Sequence, residues 1–192
     1  VFASNRAEHG STSAYQTRGG GLFIDGTPVV RMRNCLWIRN NTLMEGDGLY
    51  VAGGTVSMDH CTVATNDGYG IYRVDGTIAI SNSIVWGNGD DLSGIASNVA
   101  YSCIEDGDFA GLMGCFANDP LFADTEFFHL QSRAGYYANA FFTGGTWLYA
   151  NSNSPCIDAG DPSAPWSLEP SPHGGRVNMG AYGNTEVASK TG

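Results

Sequence analysis

The chain has 192 residues, 27 of them glycine, an apolar share of 42% and a formal net charge of −10. That length suits one domain with a real core, the apolar share excludes a disordered chain, and the acidity excludes a nucleic-acid binder working through a basic patch. The same charge would repel a polyuronate such as pectate or alginate unless cations bridged it, and no apolar run reaches membrane-span length.

In chain order, Phe2-Ala3-Ser4-Asn5 matches Trp37-Ile38-Arg39-Asn40 by position, so the chain opens inside a repeat unit. A polar excursion runs from Arg6 to Arg18. With no initiator Met and no signal-like segment at Val1, we expect a processed or excised piece, preceded by further coils or another domain.

Three segments then align: Gly21–Asn40, Gly48–Asn66 and Gly70–Asn88. Each reads glycine, aliphatic, aromatic, a glycine turn, an alternating strand, a second turn and a third strand. Alternation assigns the faces. Leu22, Leu49 and Ile71 form one inward column. Val30 and Met32, Val56 and Met58, Ile78 and Ile80 form inward pairs. Cys35, Cys61 and Ser83, then Trp37, Val63 and Val85, form the third inward face. Helical spacing is absent. Three short inward faces per repeat predict an all-β fold, a right-handed parallel β-helix. Regular coils span 1–110, and C-terminal strands, loops and a cap of the same domain span 111–192.

Asn40, Asn66 and Asn88 share one position of the repeat, and Asn34, His60 and Asn82 share another. Both columns are expected to form ladders at coil corners, each side chain bonding the turn backbone and its equivalent in the next coil. A weaker fourth coil aligns Val99–Ile104 with Ile80–Val85. Beyond it, Asp119–Phe122 and Phe128–Leu130 are expected as short strands. The five cysteines lack metal-ligand spacing, and Cys35 and Cys61 read as small buried hydrophobes.

The tail carries DPLF at 119–122, FHLQS at 128–132, SPCIDAGDP at 154–162 and GGRVNMGAYG at 174–183. Together these resemble the C-terminal region of secreted bacterial β-helix proteins of the choice-of-anchor Q type. The fold is also similar to that of β-helical xylan-binding modules. The resemblance implies an extracellular, often multidomain protein and does not imply one activity. The tail motifs are expected to cap the last coil, with Ile157, Met179 and Tyr182 plugging its core.

A β-helical hydrolase needs carboxylates on one outward face of adjacent coils. Asp59 is the best-placed one, yet its column neighbours are Arg33 and Ser81. A lyase needs a base and a positive group or calcium to neutralise a uronate; the nine Lys plus Arg are scattered. No cofactor is implied. The acidic loops Asp90-Asp91 and Glu105-Asp106-Gly107-Asp108 offer oxygen ligands for a structural calcium, a solvated loop being the simpler account. The four histidines show no metal-ligand spacing.

Outward positions favour binding. Phe23, Tyr50 and Tyr72 fall in one outward column, on strands about 4.8 Å apart. Trp86 lies in another, with Ile38 and Ala64, beside Leu36, Thr62 and Ile84. Aromatic faces stack on the apolar faces of sugar rings; stacking between coils without a ligand is the structural alternative. The segment 134–153 is long enough to fold back as a groove wall. The leading expectation is a non-catalytic carbohydrate-binding module of a secreted bacterial protein. It would hold an extended neutral plant polysaccharide such as xylan through Phe23, Tyr50, Tyr72 and Trp86. A structural or adhesion spacer comes second and a β-helical lyase or hydrolase third. The partners expected are a polysaccharide and other domains of the parent chain, with no nucleic acid and no membrane span.

Overall fold

The computed structural model describes residues 1–8 and 17–192, so most of the Arg6–Arg18 excursion lies outside the described residues. Among those described there is no helix, and hence none long and apolar enough to cross a membrane. Parallel strands stack into a solenoid. A 4-stranded sheet, the first face, holds Leu22–Ile24, Leu49–Val51, Tyr69–Arg73 and Asp90–Ser93. A 7-stranded sheet makes the other two faces. Its long strands, Val29–Ile38 and Thr55–Ala64, turn a corner within their length. Later coils break at that corner into Thr77–Ser81 plus Ile84–Trp86, and Val99–Ala100 plus Cys103–Ile104.

The corner residues are Asn34, His60, Asn82 and Tyr101, with φ of 50°, 49°, 50° and 46°. Left-handed backbone is uncommon for residues with a Cβ, and asparagine tolerates it best. The register is the one expected from alternation. Leu22, Leu49 and Ile71 are partners, as are Met32, Met58 and Ile80, and Trp37, Val63 and Val85. Val99 pairs Ile80 and Cys103 pairs Ile84, which places the weak fourth coil in frame. Phe2 pairs Trp37, and their rings stack with centroids 5.1 Å apart. All the inward columns meet in one core, where each fully buried Leu or Ile contributes about 1.5–3 kcal/mol.

The asparagine ladder forms. The backbone N–H and Nδ2 of Asn40 donate to Asn66 Oδ1 at 2.9 and 3.0 Å, and those of Asn66 donate to Asn88 Oδ1 at 3.0 and 2.9 Å. Asn5 joins above, donating to Asn40 Oδ1. Asp91 ends the ladder below, accepting from Asn88 Nδ2 at 2.9 Å. Each Nδ2 of Asn40, Asn66 and Asn88 also donates to a carbonyl of the third face: Phe2, Trp37 and Val63. Glycine follows the ladder because there is no room for a side chain. A methyl group on Gly48 would overlap the Gly70 carbonyl oxygen.

Two expectations are corrected. The Asn34, His60 and Asn82 side chains do not form a second ladder. They point at the C-terminal segment. Asn34 Nδ2 donates to the Ala181 and Gly183 carbonyls, each at 2.9 Å, and the Asp161 N–H donates to Asn82 Oδ1 at 2.6 Å. Nor does the tail seal the end of the coil. Its apolar residues lie along the outside of the third face. Phe128, Tyr137, Ala181, Tyr182 and Val187 pack on Leu36, Ile38 and Ala64; Leu130, Cys156 and Met179 pack on Ile84 and Cys103. The end of the inner core is closed instead by the turns of 105–116, where Phe109 and Cys115 join it and Phe116 N–H donates to Ser102 O. The strands expected at 119–122 and 128–130 reduce to a single antiparallel bridge, Phe122 with Leu130.

Candidate functional site

The first face carries the aromatic column. Phe23, Tyr50 and Tyr72 are partners in register, and their rings stack at 5.3 and 5.4 Å with interplanar angles of 19° and 26°. The coil repeat forces this. Identical outward positions on parallel strands sit one strand spacing apart, and flat rings fill that spacing well. Tyr69 adds a fourth ring, tilted at 4.7 Å from Tyr72.

The members differ in access. Phe23 is 45% exposed and Tyr72 is half-buried, but Tyr50 is only 3% exposed. The Arg18 guanidinium lies over the Tyr50 ring at 5.2 Å from its centroid, held by Glu45 at 3.2 Å. Tyr50 therefore serves the stack as its middle ring, while Phe23, Tyr69 and Tyr72 hold the accessible surface. Below the column, Gly68, Tyr69, Gly89 and Asp90 line a shallow depression.

Trp86 is elsewhere. It lies on the third face, half-buried against the Ile84–Cys103 cluster, and its column neighbours Ile38 and Ala64 are covered by the tail. The segment 134–153 does fold back, as a hairpin of Tyr136–Ala138 and Thr146–Leu148. Tyr137, Phe141, Phe142 and Trp147 then fill the third face rather than wall a groove on it. The signal for this cover was present in the sequence: Leu36, Ile38, Ala64 and Ile84 are apolar at outward positions, and solvent does not favour such a face.

Asp59 has its expected neighbours, Arg33 and Ser81. Its carboxylate is engaged by all sides: Ser81 Oγ and Asn82 Nδ2 donate to Oδ1 at 3.1 and 2.8 Å, and Arg33 Nε lies 3.6 Å from Oδ2. The acidic loops are likewise turned to backbone. Asp91 accepts from Glu105 N–H, Asp106 from Asp91 N–H, and Glu105 from Gly87 N–H. Burial raises Asp91 to about 6. Among the described residues no group of three or more His, Cys, Asp or Glu side chains is arranged to hold a metal ion.

Two buried histidines sit under the tail. His129 stacks on Tyr182 at 3.6 Å, and its Nε2–H donates to the Ala140 and Phe141 carbonyls, both at 3.0 Å. Burial lowers its pKa to about 4, so the ring is neutral. His60 is fully buried between the corner and the tail, and burial lowers its pKa as well. Both belong to the packing of the tail.

Comparison with protein-family models, with curated proteins and with solved structures finds no match to this chain.

Proposed function

We propose that this chain is a non-catalytic carbohydrate-binding β-helix that holds an extended neutral polysaccharide on its first face. The supporting observation is the stacked column at coil spacing with Phe23, Tyr69 and Tyr72 accessible on it. A row of rings on a flat β-face matches a chain of sugar rings better than a compact ligand. A secreted bacterial protein of the choice-of-anchor Q type is the setting to which this reading belongs, with other domains of the parent chain as neighbours. Xylan is the first glycan to test.

A second reading, a structural or adhesion spacer, is favoured by one observation: Tyr50 lies sealed beneath Arg18, as a ring used only for stacking would. Affinity gel electrophoresis separates the two. The parent should be retarded by a neutral glycan with little dependence on salt. Replacing Phe23 and Tyr72 together by Ala should abolish retardation while the β-rich circular dichroism survives. A parent that no neutral glycan retards supports the spacer.

A further inference from the structure

We propose that Cys103 and Cys156 form a disulfide that staples the C-terminal segment to the last coil. Both side chains are fully buried, and both belong to one small cluster with Ile84, Leu130 and Met179. Cys103 lies on the third face, where its Cα is the register partner of Ile84. Cys156 reaches the same spot from the tail. Its carbonyl accepts from Met179 N–H at 2.9 Å, and the next residue, Gly180, donates to Asn82 O at 2.8 Å, beside Ile84. The Cys103 S–H faces the Asn118 carbonyl at 3.1 Å, and the neighbouring Cys156 side chain is the first cause of its raised pKa.

The other cysteines are placed differently. Cys35 and Cys61 are neighbours within one sheet, and each S–H is directed at main-chain carbonyls: Arg33 for Cys35, Met32 and Asp59 for Cys61. A bond there would join strands that the ladder already joins. Cys115 lies in the inner core, on the opposite side of the strand from the tail. Cys103 with Cys156 is the pair that spans coil and tail, and it closes a loop of about fifty residues, the kind of closure that constrains an unfolded chain most.

The chemistry is thiol–disulfide exchange with an oxidised small-molecule disulfide such as glutathione disulfide. One thiolate attacks the glutathione disulfide and releases one reduced glutathione. The second thiolate attacks the mixed disulfide, forms the protein S–S bond and releases the other. The two protons lost by the protein thiols end on the two glutathione thiolates, and the two electrons leave with them. The neighbouring Cys156 side chain and burial hold the Cys103 thiol protonated in the folded chain, which disfavours exchange once the tail has docked. The bond, once formed, is then shielded from reductants.

The test is refolding of the full chain in a glutathione redox buffer, followed by alkylation in denaturant and peptide mapping without reductant. A glutamyl endopeptidase used with trypsin cuts after Glu105 and separates Cys103 from Cys115. We expect two of the five thiols to be lost to alkylation and a linked peptide pair containing Cys103 and Cys156. The Cys115→Ser variant should keep the link. Reductant should lower the melting midpoint of the oxidised parent by several degrees and leave that of Cys156→Ser unmoved. Alkylation of all five thiols after refolding, or a link between any other pair, overturns the proposal.

Discussion

Asn34 donates its Nδ2 to the carbonyl of Ala181 at 2.9 Å, tying the first full coil to a residue 147 positions later in the chain. The same Nδ2 reaches the Gly183 carbonyl. One side chain, thrown outward by a left-handed corner, thus holds the segment that covers the third face. Asn82 repeats the arrangement, accepting from Asp161 N–H.

Asn34→Ala leaves those two carbonyls without their donor, at a cost of about 1–3 kcal/mol. We expect the loss to appear as faster amide exchange across 178–189, with the coils unchanged. Uniform acceleration through the coils would contradict a local clamp.

Asn66→Ala removes the central rung. It breaks bonds from Asn40, to Asn88 and to Trp37 O, and the buried groups left behind cost about 1–3 kcal/mol. Denaturant midpoints check this. An unchanged midpoint would mean that the rung is replaced by water.

The coils were legible because a solenoid repeats its instructions. Glycine, aliphatic and asparagine recur at fixed offsets, and register follows from superimposing them. Even Tyr101 keeps the corner conformation of Asn82 without its chemistry. The tail was legible only as motifs, since its partners are set by contacts more than a hundred residues away, such as Ala181 N–H to Thr62 Oγ1. Chain order also could not show that Arg18 would lie over Tyr50.

The aromatic column predicts unequal stability effects. Tyr50→Ala should cost about 3–5 kcal/mol, the range for emptying a buried aromatic site. Phe23→Ala, at the exposed end, should cost no more than about 1 kcal/mol, the scale of a cross-strand pair. Thermal melts of the two single variants suffice. Equal losses would argue against Tyr50 as the buried centre of the stack.

Glu169 gives the fold a pH dependence. Its Oε1 accepts from Asn178 and Asn184 N–H, and burial raises its pKa from 4.5 to about 7. Between those values the folded chain keeps a proton that the unfolded chain releases. Its contribution is full below 4.5 and is lost as pH rises through about 7. Glutamine keeps the acceptor and stays neutral. From pH 5 to pH 8, Glu169→Gln should gain on the parent by roughly 1–3 kcal/mol. His129 acts at the other end. Its folded pKa is depressed from 6.5 to about 4, so stability is lost as pH falls through that window. Removing the Glu169 titration should expose that acid-side slope. A parent-to-variant difference that is constant with pH rules out the buried acid.

The ladder also fixes where the coil can change length. Asn40 and Asn66 are 26 residues apart, and Asn66 and Asn88 are 22 apart. The stretch from the glycine to the asparagine is equally long in both coils, so the whole difference falls in the corner between ladder and glycine. In the longer coil that corner carries Leu43 and Met44, 61% and 40% exposed. Exposed loop tips of this kind accept added chain at small entropic cost. The tip at Leu43 and Met44, ahead of the Glu45 that holds Arg18, is therefore the natural graft point of this scaffold, a place to carry a tag, a fluorophore or a foreign peptide without shifting one rung.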